Sequence, residues 1–306
     1  MIETAKQMRW RSLTFLLFCS ATIALLFIPL MSLYRFSVND ETFSYIPLVP
    51  VVSAYLIFQQ RKVIFSRVSG SMLPGAVLVL IGMVLYGLGS LGGSSWNPAD
   101  RHSIMAVSAV ACLSGGIGLC FGSGALKEAL FPLLFLLFMA PLPSTLLDKV
   151  VSILQYGSAE VSYAFLKLTG VPVFREGYVF HVPGLTVEVA KQCSGIRSSL
   201  SLFLVSLLAG NLFLETGWRK AILCIMVVPI TIFKNGIRIV SLTLLGAYVD
   251  RSFLAGVLHT SGGIPFFLAA LVLLSGVLWL LRRGEKIGSE RDAAGAKVRP
   301  APMEGK

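Results

Sequence analysis

Ala190-Lys191-Gln192-Cys193-Ser194-Gly195-Ile196-Arg197 joins two kinds of pattern, and the apolar run that follows, Ile196–Leu214, decides the fold. Before the junction, residues alternate with a period of two. After it, they stay apolar for about the 20 residues a helix needs to cross a bilayer. The rest of the composition agrees with the second pattern. With 306 residues, 55% of them hydrophobic, 13% charged and a mean hydropathy of +0.80, the chain reads as a polytopic membrane protein rather than a soluble domain.

Outward from the junction, further spanning runs are expected at Leu13–Tyr34, Leu73–Leu91, Ile104–Ala125, Ala221–Ile239 and Phe253–Leu281. Two shorter ones, Tyr45–Gln59 and Ala129–Leu142, bring the expected total to about eight transmembrane helices. The first run is read as an anchor, because Ile28-Pro29-Leu30 carries no small-residue cleavage pattern. Basic residues set the orientation. With the N-terminus inside, the inner segments hold Lys6, Arg9 and Arg11, then Arg61, Lys62 and Arg67, then Lys127, Arg219 and Lys220, then Arg282, Arg283 and Lys286. The net charge of +11 is thereby explained as a topology signal. Nucleic acid is not an expected partner, because that needs a basic soluble face.

Residues 143–192 form the extramembrane part of an expected single membrane domain, 1–284, with 285–306 as a disordered cytoplasmic tail rich in Gly, Ala, Pro and charge. Leu147, Val151, Leu154, Ser158, Val161, Phe165 and Leu168 recur at steps of four and three, one face of a helix. Asp148, Lys149, Ser152, Gln155, Glu160, Ser162 and Lys167 form its polar face, so this helix should lie on the outer surface or pack on the bundle. Gly170 and Pro172 end it. Then Tyr178, Phe180 and Val182 alternate with Val179 and His181, and after Pro183-Gly184 the residues Leu185, Val187 and Val189 alternate with Thr186, Glu188 and Ala190. That is a β-hairpin, with a type II turn favoured by the Pro-Gly pair and with His181 and Glu188 on one face.

Chemistry is concentrated near one membrane boundary. Cys19, Cys112, Cys120 and Cys224 lie inside apolar runs, where cysteine behaves as a small hydrophobe. Cys193 stands outside them, at a helix N-terminus that favours the thiolate, with Ser194 the expected N-cap. Arg238, near the outer end of the seventh run, is costly in apolar surroundings and hence a functional candidate; it stays protonated, so it can hold a carbonyl or an oxyanion but cannot act as base. His259, near the start of the last run, can activate a thiol and protonate a leaving amine. His102 and His181 are outer histidines too, and His181 is the stronger rival. Two other classes compete. A transporter or channel would line a polar path with Lys234, Arg238 and His259, and a thiol oxidoreductase would need a pair of outer cysteines where this chain offers one. No cofactor or metal is implied, since no ligand cluster has zinc spacing.

Ala190-Lys191-Gln192-Cys193-Ser194-Gly195-Ile196 resembles the cysteine motif of the exosortase/archaeosortase family, Asn235-Gly236-Ile237-Arg238 resembles its arginine motif, and His259 stands where its histidine does. The resemblance runs from about Pro141 to Leu281 and includes Arg175-Glu176-Gly177 ahead of the hairpin. It implies a membrane-embedded cysteine protease and transpeptidase of the cell inner membrane, with both termini cytoplasmic and the active site on the outer face. The implied catalytic residues are Cys193, Arg238 and His259. The implied partners are exported proteins with a C-terminal sorting signal (PEP-CTERM-like): a short Pro-containing motif, one transmembrane helix and a basic cluster. Membrane lipid surrounds both.

Overall fold

A computed structural model describes the backbone of residues 2–65, 70–91, 96–250 and 263–298, with side chains except at 2–8, 192–193 and 288–298. The described chain is helical apart from one small sheet: α1 (Ile2–Leu25), α2 (Phe27–Asn39), α3 (Leu48–Ile64), α4 (Leu73–Leu91), α5 (Pro98–Phe121), α6 (Ser123–Glu128), α7 (Leu130–Leu136), α8 (Ser144–Leu168), β1 (Phe174–Glu176), β2 (Val179–Val182), β3 (Leu185–Glu188), α9 (Ile196–Phe213), α10 (Gly217–Ile225), α11 (Val227–Tyr248) and α12 (Gly263–Val298). Among the described residues, six helices are long and apolar enough to cross a membrane, and up to eight spans result if each of two bent pairs counts as one. The expected all-α polytopic fold is therefore present.

Three interruptions share one cause. α1 stops at Leu25, α6 at Glu128 and α10 at Ile225, each four residues before a proline, Pro29, Pro132 and Pro229. A proline ring collides with the carbonyl four residues back and offers no N–H to it. The run Leu13–Tyr34, expected as one span, is accordingly broken, with its two halves bent by 65°. The pair α10 and α11, by contrast, counts as one candidate span of 32 residues.

The chain divides into two compact units, Met1–Asp148 and Lys149–Lys306. In the first, α4 lies close against α5 along Gly75, Gly82 and Gly89, and Ser108 Oγ donates to the Gly82 carbonyl at 2.8 Å. Small residues let helix backbones approach where lipid offers no hydrophobic drive for association. Ile64, Ile117, Phe121, Ala125, Ala129 and Leu133 form that unit's core.

Among the described residues, the second unit holds two cores. Leu202, Leu214, Leu223, Val227, Ile230, Ala270 and Leu274 join α9, α10, α11 and α12. Ala159, Leu166, Phe180, Val189, Ile239 and Val240 join α8 and the sheet to α11. The sheet has order β1-β2-β3, all antiparallel. Val182 pairs with Leu185 across Pro183-Gly184, and Gly184 has φ +76, the type II pattern expected. The faces follow expectation, and the register is now defined: Phe180 opposes Val187 on the inner face, while His181 opposes Thr186 and Val179 opposes Glu188 on the outer one. The unexpected strand is β1, which pairs with β2 through a two-residue turn at Gly177-Tyr178. Gly177 has φ +59 and Tyr178 does not share the positive sign, the type II′ geometry that suits a hairpin.

Two other expectations are revised. The buried face of α8 is Val151, Leu154, Gln155, Ser158, Ala159, Ser162 and Leu166, so Gln155 and Ser162 lie inside and Leu168 lies out. α12 runs on to Val298, so the residues just after Glu285 are helical where a disordered tail is expected.

Candidate active site

Cys193 belongs to a 3-10 turn, Lys191–Ser194, that follows β3 and precedes α9. Its side chain is outside those described. Gly195 closes the turn with φ +77, a left-handed conformation in which an L side chain is strained, and it is the N-cap of α9. The cap expected at Ser194 is thus one residue further on. Ser194 is fully buried, and its Oγ has no hydrogen-bond partner among the described residues. The Gly195 carbonyl opens the helix ladder: it accepts from Ser199 N at 3.0 Å, and also from Ser199 Oγ at 2.8 Å and Ser198 Oγ at 2.9 Å.

The partner of this turn is α11. A Cβ built on Gly195 would stand 3.4 Å from Asn235 Cγ and Oδ1 and 3.6 Å from Lys234 Nζ. Chain geometry explains the meeting. Counting back from Phe213 to Gly195, or forward from Gly217 to Asn235, gives the same 18 steps, so the two arms of a helical hairpin bring these residues level. Lys234 Nζ donates to Ser198 Oγ at 2.5 Å. Arg238 follows Lys234 by four residues, one turn further along the same face, and is half-buried with a buried Nε.

α8 braces both sides of the junction. Gln155 Nε2 donates to the Val189 carbonyl at 2.6 Å, just ahead of the cysteine turn. Ser158 Oγ accepts from Asn235 Nδ2 at 3.0 Å, and Ser162 Oγ donates to the Ser158 carbonyl at 2.7 Å with the Gly236 carbonyl at 3.4 Å. Gly236 permits this approach, because a Cβ there would lie 2.5 Å from Val161 Cγ1. The sequence pattern places Ser158 on the apolar face of this helix but Gln155 and Ser162 on the polar one. The signal was present: Gln155, Ser158 and Ser162 recur at steps of three and four, the spacing of one helical face.

The sheet is held to α8 in its turn. Phe180 stacks on Tyr163 with ring centroids 6.4 Å apart, and Arg175 pairs with Glu160 at 2.9 Å while its Nε donates to the Gly177 carbonyl at 2.7 Å. His181 is occupied on the outer face: its Nδ1 is 3.2 Å from Thr186 Oγ1, its Nε2 3.8 Å from Glu176, and its ring stacks on Phe174. His102 is in the first unit, against Phe36. His259 lies outside the described residues.

A set of apolar helices with a small sheet that feeds a polar helix junction defines a multi-pass membrane protein. The family model described as transmembrane exosortase (Exosortase_EpsH) matches residues 37–276, so the chain belongs to the transmembrane exosortase family and is a membrane transpeptidase of that kind. No curated protein and no solved structure matches it.

Proposed function

We propose that this exosortase cleaves the C-terminal sorting signal of exported proteins, of the PEP-CTERM-like type, through a thioester on Cys193. The thiolate attacks the scissile carbonyl, the tetrahedral oxyanion is held by Arg238, and His259 protonates the departing amine. Water, an amine or a hydroxyl at the outer face then attacks the thioester, with His259 taking its proton, and frees the thiol. His181 is not needed in this scheme.

The observation that carries the reading is the contact of Gly195 with Lys234 and Asn235, which joins the cysteine turn to the arginine helix within one helical turn of Arg238. Depth supports it as well. From Gly217, beside the basic pair Arg219 and Lys220, to Arg238 the rise is about 30 Å, one hydrocarbon thickness. That distance suits a basic inner end and a reacting outer end. A substrate helix lying alongside would present its outer junction at the depth of the Cys193 turn, which turns a bimolecular search into a local one.

The test is co-expression with a tailed substrate. Cleavage should be lost in Cys193→Ala, Arg238→Ala and His259→Ala and kept in His181→Ala. Loss in His181→Ala with retention in His259→Ala would reassign the base.

A further inference from the structure

Lys234 has no part in that scheme, yet it is the most conspicuous charge at the junction. It sits within an apolar helix and is 6% exposed. A lysine in such a helix ordinarily runs its stem along the surface until the ammonium reaches water. Lys234 instead turns its ammonium to Ser198 Oγ, and Ser198 donates its own hydrogen to the Gly195 carbonyl. Ammonium, hydroxyl and carbonyl thus form one chain ending on Gly195, which closes the turn that holds Cys193.

Three features of this chain ask for an anion. An ammonium has three donors, of which Ser198 takes one, and among the described residues no Asp or Glu pairs with Lys234. Ser194 Oγ, on the same turn, is fully buried with no partner among the described residues. The Lys234 charge also stands at the N-terminal, positive end of the α9 dipole, where a cation is disfavoured unless something negative joins it. The surrounding charges do not supply one. Lys191 on the turn and Arg197 on α9 are exposed cations, Arg238 on α11 is a half-buried cation, Glu160 on α8 pairs with Arg175, and Glu188 on β3 is exposed.

Resting on the reading of Cys193 as nucleophile, we propose that the anion is its thiolate, and that Lys234, seated by Ser198, is the cation that makes the thiol acidic. The thiol proton leaves to water or to His259. Buried cations beside a cysteine act in this way in general, since they favour the charged form of the sulfur.

The experiment uses the full chain in detergent, with Cys19, Cys112, Cys120 and Cys224 changed to Ala, and follows alkylation of Cys193 by iodoacetamide against pH. With Lys234 in place, the midpoint should lie below the ordinary thiol value of about 8.5. Lys234→Met should raise the midpoint by about one unit or more and slow alkylation at pH 7 about tenfold, whereas Lys234→Arg should keep most of the acidity. Ser198→Ala, which releases the ammonium, should raise the midpoint part of the way. A midpoint unmoved in Lys234→Met overturns the proposal; if that variant fails to accumulate, an unmoved midpoint in both Lys234→Gln and Ser198→Ala does so. Substrate cleavage measured beside it separates the two claims. Normal cleavage in Cys193→Ala removes the nucleophile itself, whereas lost cleavage there with an unmoved midpoint in the Lys234 variants removes only the role of Lys234.

Discussion

Gly195 carries more of the site than its size suggests. Its left-handed backbone turns the chain from the cysteine segment into α9, and its bare Cα is what Lys234 and Asn235 pack against. Gly195→Ala imposes a left-handed L residue, costing about 1–2 kcal/mol, and puts a methyl at the closest van der Waals distance from Asn235. The expected outcome is a lower melting temperature in detergent together with a larger loss of substrate cleavage than of expression. At Arg238 the geometry of the fork matters as much as the charge. Arg238→Lys should keep the fold, measured by gel filtration, and lose at least about tenfold in cleavage. Residue-level reasoning from sequence singled out Cys193 and Arg238 because each is an odd residue for its surroundings. Lys234 enters there only as a residue lining a transporter path and Asn235 only within the arginine motif, since a polar side chain satisfied by a partner distant in sequence leaves no local trace of that partner.

Among elements, α8 shows what patterning can and cannot reveal. Its existence follows from the spacing of its inward residues, Ser158 among them, but its buried face also includes Gln155 and Ser162, which are inside because α11 and the segment after β3 satisfy them. Periodicity counts polar residues as outward, so it rotates such a helix wrongly. Gln155→Leu should leave the Val189 carbonyl unmet and cost about 1–3 kcal/mol, while Lys149→Ala on the exposed face should be neutral; thermal unfolding of the purified pair reads the difference. Gly236→Val would drive a side chain into Val161 and separate α8 from α11, so it should lower both stability and cleavage. β1 escaped notice for a simpler reason. Three residues, Phe174-Arg175-Glu176, are too few for a period-two signal, and only the pairing with β2 defines them as a strand.

At the scale of the whole molecule, composition and run length were enough for the membrane class and for the number of candidate spans, because crossing hydrocarbon leaves a chain few alternatives to apolar helices. The breaks at prolines and the length of α11 were not legible in that way. α11 continues to Tyr248, so Arg238 lies inside a continuous helix rather than at its end. At the far end of the helical hairpin, the Glu285 carboxylate accepts from Glu215 N at 3.1 Å, Thr216 N at 2.8 Å and Thr216 Oγ1, beside Arg219. This latch ties the start of α10 to α12. Glu285→Ala should lower the melting temperature while leaving the rate of Cys193 alkylation at fixed pH unchanged.

The account depends most on a covalent step at Cys193, and one measurement reaches it directly: intact-protein and peptide mass spectrometry of the enzyme isolated with a tailed substrate. A thioester joining the exported part of the substrate to Cys193, released by hydroxylamine and absent from Cys193→Ala, is the predicted result. Undiminished processing of the substrate by Cys193→Ala would contradict it.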